Sequence, residues 1–108
     1  MRASRPTQVA GFDWDEANRD KCEVHGVSIR EIESVFETPV AVLPDPAHSE
    51  AEQRFKAIGI TAGGRHIFVV FTLRSHGAAR LIRPISARFM HRREIEYYEK
   101  TAARPENR

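Results

Sequence analysis

From residue 67 to residue 73 the chain reads Ile-Phe-Val-Val-Phe-Thr-Leu, an apolar run broken by neither Gly nor Pro. β-branched and aromatic residues in such a run predict a central strand over residues 65–74, buried on both faces. The five residues from Ser75 to Ala79 are short enough to return the chain, so residues 80–87 are expected to pair with it as an antiparallel hairpin. Upstream, residues 53–60 alternate Arg54, Lys56 and Ile58 against Phe55, Ala57 and Gly59, the period of a strand. Thr61-Ala-Gly-Gly64 then turns it into the central one. A slip of one residue in either hairpin exchanges the faces, so the pattern leaves open whether Arg54 and Arg83 share a surface.

The N-terminal half carries helical signals. Residues 9–14 form at most a short edge strand, after which Asp13 or Asp15 caps a helix over residues 17–24. His25-Gly26 ends it, glycine being the usual residue for the left-handed turn beyond a helix. Ser28 with Glu31 three residues later is a capping box, opening a second helix over 29–36 whose Ile32, Val35 and Phe36 form one apolar stripe. Thr38-Pro39 stops that helix, residues 40–43 suit a strand, Pro44-Asp45-Pro46 breaks it, and His48-Ser49-Glu50 reads as a polar loop. A last helix over 90–101 is expected to bury Met90, Ile95 and one of its two tyrosines. The fold class is therefore α+β: two N-terminal helices and a C-terminal helix covering one face of a three- to four-stranded antiparallel sheet, in a single domain ordered from about 11 to 101.

With 108 residues the chain can bury a core without staples, and its one cysteine, Cys22, excludes an internal disulfide and suits a reducing compartment. No apolar run reaches the ~18 residues of a membrane span, and the polar start lacks the apolar stretch of a secretory signal, so the cytoplasm is the expected location with no membrane partner. Charge is segregated. Residues 1–50 hold 5 basic against 10 acidic side chains and residues 51–108 hold 12 against 5, for a net +2. Either the two halves neutralise each other in the fold, or the sheet and last helix offer a basic face to a polyanion.

The five histidines never fall at a spacing such as H-x-x-x-H, and there is no phosphate loop, so neither metal nor cofactor is expected. Metal-free cleavage of RNA fits the residues better. It needs a base for the 2′-hydroxyl, fixed cations for charge growing on phosphorus, and an acid for the leaving oxygen. Arginine suits the second role because its planar fork holds phosphate and stays charged. Arg54, Arg74, Arg83, Arg88, Arg92 and Arg93 are candidates, with Lys56 and Ser86 as further phosphate donors. His25 is the first choice for proton transfer, with Glu94 and Tyr98 behind it. The alternative for any one arginine is a solvated or salt-bridged surface, and for Ser86 a hydroxyl bonded to backbone.

Phe12-Asp-Trp-Asp15, His25-Gly-Val-Ser28, Phe36-Glu-Thr-Pro39, Asp45-Pro-Ala-His-Ser-Glu50, Arg54-Phe55 with Ile58-Gly59, and Ile85-Ser-Ala-Arg88 with Glu94 and Tyr98-Glu99 together resemble the BrnT family of toxins. Several short motifs in order, over about residues 11–100, make the likeness specific. It implies a fold similar to the RelE toxins, a ribonuclease that stops translation, and a BrnA-like ribbon-helix-helix antitoxin through which the complex reaches operator DNA. By position it carries functional roles to His25, Arg54, Ser86, Arg88, Glu94 and Tyr98. The competing expectation is an inactive relative that serves as a binding module in that DNA-binding complex.

Overall fold

The computed structural model describes residues 9–37, 41–46 and 52–102, and the expectations for Thr38-Pro39, Val40 and His48-Ser49-Glu50 lie outside them. The chain begins with strand β1 (Val9–Phe12) and helix α1 (Glu16–Glu23). Asp15 caps α1, its side chain accepting from the Asn18 amide while Asn18 Oδ1 accepts from the Asp15 amide. This is a capping box with asparagine in the usual place of glutamate. The turn after it needs a left-handed residue, and Gly26 supplies it at φ 85°. Helix α2 (Ile29–Val35) opens on the expected Ser28–Glu31 box.

Strands β2 (Ala41–Pro44), β3 (Phe55–Ile60), β4 (His66–His76) and β5 (Ala79–Phe89) complete a five-stranded sheet in the order β1-β5-β4-β3-β2. The expectation of a three- to four-stranded antiparallel sheet is corrected here: β1 is a full member and runs parallel to β5, from Val9 opposite Arg80 to Phe12 opposite Ile82. That pairing joins residues about 70 apart, and neither period nor turn signals report so distant a neighbour. The expected five-residue connection between β4 and β5 is also tighter, since His76 pairs with Ala79 around Gly77, whose φ is 65°.

Register sets which side chains of β3, β4 and β5 share a face. Lys56 lies opposite Val70 and Val70 opposite Ser86; Ile58 lies opposite Phe68 and Phe68 opposite Arg88. Between them, Ala57, Val69 and Ala87 form a row on the other face. Val70 pairs with Ser86 but Phe71 with Pro84, so Ile85 bulges. Proline has no N–H for the ladder, and the extra residue lets the strand return to phase around it.

The core lies on one face. Cys22, Val27, Ile32, Val35 and Phe36 of the α1–α2 layer meet Ala57, Ile67, Val69, Phe71, Ile82 and Ala87 of the sheet. Phe71 is the centre, edge-on to Phe36 at 5.3 Å and stacked near Phe55 at 5.5 Å. The expectation that the central strand is buried on both faces fails for Phe68 and Val70, which are half-exposed on the opposite face. An uninterrupted apolar run does not distinguish a strand covered twice from one covered once.

Helix α3 (Arg92–Ala102) crosses to that second face, so the helices do not all cover one side. Its Glu94 pairs with Arg88 and its Glu99 approaches His66 at 3.3 Å, and both sheet residues stand on the Phe68 side. Met90 is buried as expected, Ile95 and Tyr98 are half-buried, and Tyr97 is 72% exposed. Among the described residues no helix is long and apolar enough to cross a membrane.

Candidate active site

The second face holds a cleft of about 290 Å³, walled by His25, Asp45, Lys56, Phe68, Val70, Ser86, Ala87 and Arg88. Each element contributes for a local reason. The α1–α2 turn brings His25, β3 and β4 set Lys56 and Phe68 on adjacent diagonal positions, and the bulge at Ile85 keeps Ser86 and Arg88 facing outward together. Asn18, 3% exposed, ties α1 to this region by donating from Nδ2 to the carbonyls of Asp13 at 2.9 Å and Pro84 at 2.8 Å.

Arg88 is the most constrained cation of the cleft. Its two terminal nitrogens donate to the two Glu94 oxygens at 2.9 and 2.8 Å, the fork-to-fork geometry of a strong ion pair. The His91 amide donates to Glu94 as well, at 2.7 Å. The Arg88 guanidinium first, and this amide second, hold the Glu94 carboxyl down to about 2. Glu94 is thus a carboxylate throughout the neutral range, held against Arg88. The guanidinium also stands 4.7 Å from the Phe68 ring centre, while the Lys56 ammonium stands 5.1 Å from it.

The remaining sequence candidates are placed elsewhere. Arg83, its side chain 13% exposed, turns to Asp15 at 3.0 Å and Asp13 at 3.6 Å. Asp15 is held below its ordinary value mainly by the Asn18 amide, with Arg83 adding to it. Arg74 pairs with Glu52 at 3.1 Å and holds that carboxyl down in turn. Arg54 is half-buried, accepts at its carbonyl from the Asp45 amide at 2.9 Å, and does not line the cleft. Tyr98 stands edge-on to His66, 6.2 Å between centres, and Arg92 and Arg93 are exposed at the start of α3. The structure therefore brings together His25, Lys56, Ser86 and Arg88 with Glu94 behind them. It does not bring Arg54, Arg74, Arg83, Arg92, Arg93 or Tyr98 to the same wall.

Sequence reasoning misses Asp45 and Phe68. Asp45 reads as a breaker between two prolines and as part of the Asp45–Glu50 motif but not as a site residue, yet it is 8% exposed on the cleft wall. Phe68 reads as core; its phase with Lys56 and Arg88 is the available signal. Burial pushes the Cys22 thiol up to about 11, so it is protonated and inert at neutral pH. Among the described residues no three His, Cys, Asp or Glu side chains converge as a metal site.

The family model described as "Ribonuclease toxin, BrnT, of type II toxin-antitoxin system" matches residues 14–94, from the residue before the α1 cap to the carboxylate that holds Arg88. A comparison with curated proteins finds no match.

Proposed function

The chain belongs to the BrnT family of ribonuclease toxins of type II toxin–antitoxin systems, and from that premise we propose that it is itself an active, metal-independent endoribonuclease whose site is the cleft around Arg88. The observation that carries this reading is the convergence of His25, Lys56, Ser86 and Arg88 on one wall, with Glu94 fixing the arginine from behind. In this reading the RNA phosphodiester lies against Arg88 and Lys56, and the 2′-oxygen adjacent to it attacks phosphorus. His25, on the cleft wall, takes the 2′-hydroxyl proton on a ring nitrogen. As the phosphorane gains negative charge, Arg88 and Lys56 stabilise it more than they stabilise the ground state, which is what lowers the barrier. Ser86 adds a neutral donor to the same phosphate. The bond from phosphorus to the 5′-oxygen then breaks, and the leaving oxygen takes a proton from a solvent water whose hydroxide is neutralised by the proton held on His25, leaving a 2′,3′-cyclic phosphate, a free 5′-hydroxyl and neutral His25.

The partner implied by a type II system is an antitoxin. A BrnA-like ribbon-helix-helix protein with an acidic segment would neutralise the cleft cations and exclude RNA together, and through it the pair would contact operator DNA in the cytoplasm. One observation favours a second reading, that of a binding module without activity. Arg74, Arg83 and Arg88 each lie against a carboxylate of this same chain, which reduces the positive field available to RNA.

The test is expression alone in a bacterial host together with purified protein on RNA, beside Arg88→Ala. Active wild type arrests growth and cleaves RNA, and Arg88→Ala cuts cleavage about 100-fold or more, the usual loss for one group aimed at developing charge. Folded wild type that neither arrests growth nor cleaves RNA supports the binding module instead.

A further inference from the structure

We propose that Phe68 is a positioning residue that holds Lys56 and Arg88 as a paired cation site for one RNA phosphodiester. The proposal rests on the ribonuclease reading for the identity of the ligand, but the argument for the pairing is geometric. Phe68 is half-buried and lies outside the core cluster beneath the sheet, on the cleft wall beside Lys56 and Arg88. It stands directly opposite Arg88 on β5, and Lys56 occupies the diagonal position on β3. Both cations lie over the ring, the ammonium at 5.1 Å and the guanidinium at 4.7 Å from its centre. Distances below ~6 Å are those at which the negative face of an aromatic ring attracts a cation.

Two like charges in one small cleft repel, and Lys56 sits on a long stem that favours many rotamers. The shared ring offsets the repulsion by attracting each cation and favours the rotamers that keep both beside it. Glu94 fixes only the arginine, so Phe68 is what couples the lysine to it. A phosphate then meets two cations already in place, and less ordering opposes binding.

The experiment compares wild type with Phe68→Leu, which keeps apolar volume but removes the ring face, and Phe68→Tyr, which keeps the face. The probe is a short 2′-O-methyl RNA that cannot be cleaved, its affinity read by fluorescence anisotropy, with thermal melting of each variant alongside. Two cation–ring contacts at a half-exposed site predict about fivefold to thirtyfold weaker binding for Phe68→Leu, and binding near wild type for Phe68→Tyr. Leucine binding as well as phenylalanine, tyrosine binding as weakly as leucine, or wild type failing to bind the probe would each overturn the proposal. Cleavage of unmodified RNA by the same wild-type sample separates the two ideas. Tight, ring-dependent binding without cleavage retains the Phe68 role and removes the ribonuclease reading.

Discussion

The two faces of the sheet solve different problems with the same three strands. Beneath α1 and α2, Ile67, Val69 and Phe71 are at most 1% exposed and belong to the apolar core cluster. One residue along in each case, Phe68 and Val70 line a half-open cleft with Lys56 and Arg88. Period-two geometry allows this, because neighbouring residues of one strand answer to different surroundings. The first face supplies stability, and the second uses that rigidity to hold cations where a mobile surface would not.

Breaking the dry face should have the largest effect. Phe71→Ala removes the ring that joins Phe36 and Phe55, and large-to-small changes at such sites cost about 3–5 kcal/mol. Urea unfolding should report that loss, and any fall in RNA cleavage should follow the fraction folded. A variant that keeps wild-type stability would mean the core is not centred there.

A smaller change sharpens the line between structural and functional arginines. Arg83→Ala removes the side-chain ties from β5 to Asp13 and Asp15 and should lower stability by less than Phe71→Ala does, as urea unfolding would report. RNA cleavage by the folded variant should stay within about threefold of wild type, against the far larger loss at Arg88. Equal losses at the two arginines would bring Arg83 back into the site.

The smallest effect concerns acid. The folded Glu94 carboxyl is depressed from 4.5 to about 2, so its tie to Arg88 contributes stability above about 4.5 and loses it as pH falls toward 2. Because both partners are about a third exposed, solvent screening leaves ~1 kcal/mol or less. Glu94→Gln should therefore be less stable than wild type at pH 7 by that amount, with the gap closing toward pH 2. Denaturant melts at the two pH values check it, and a gap that stays constant would assign the difference to something other than the carboxylate.

Local signals in the sequence determine a good part of this protein. The Ser28–Glu31 box, the glycine after His25 and the long apolar run each depend on neighbours within a few residues, and a cap, a left-handed turn and a strand form there; the alternating stretch 53–60 forms a strand over Phe55–Ile60, although its burial does not alternate. Residue chemistry alone also singles out His25, Lys56, Ser86 and Arg88 as candidates, and these four share one cleft wall. Only the tertiary structure decides the rest. That β1 runs parallel to β5, that α3 crosses to the far face, that Arg83 meets Asp13 and Asp15 while Arg88 meets Glu94, and that Phe68 looks outward all depend on pairings between distant segments. Those pairings are chosen by the burial of the whole chain, and the one-residue difference between a core ring and a cleft ring is a matter of which face the helices cover.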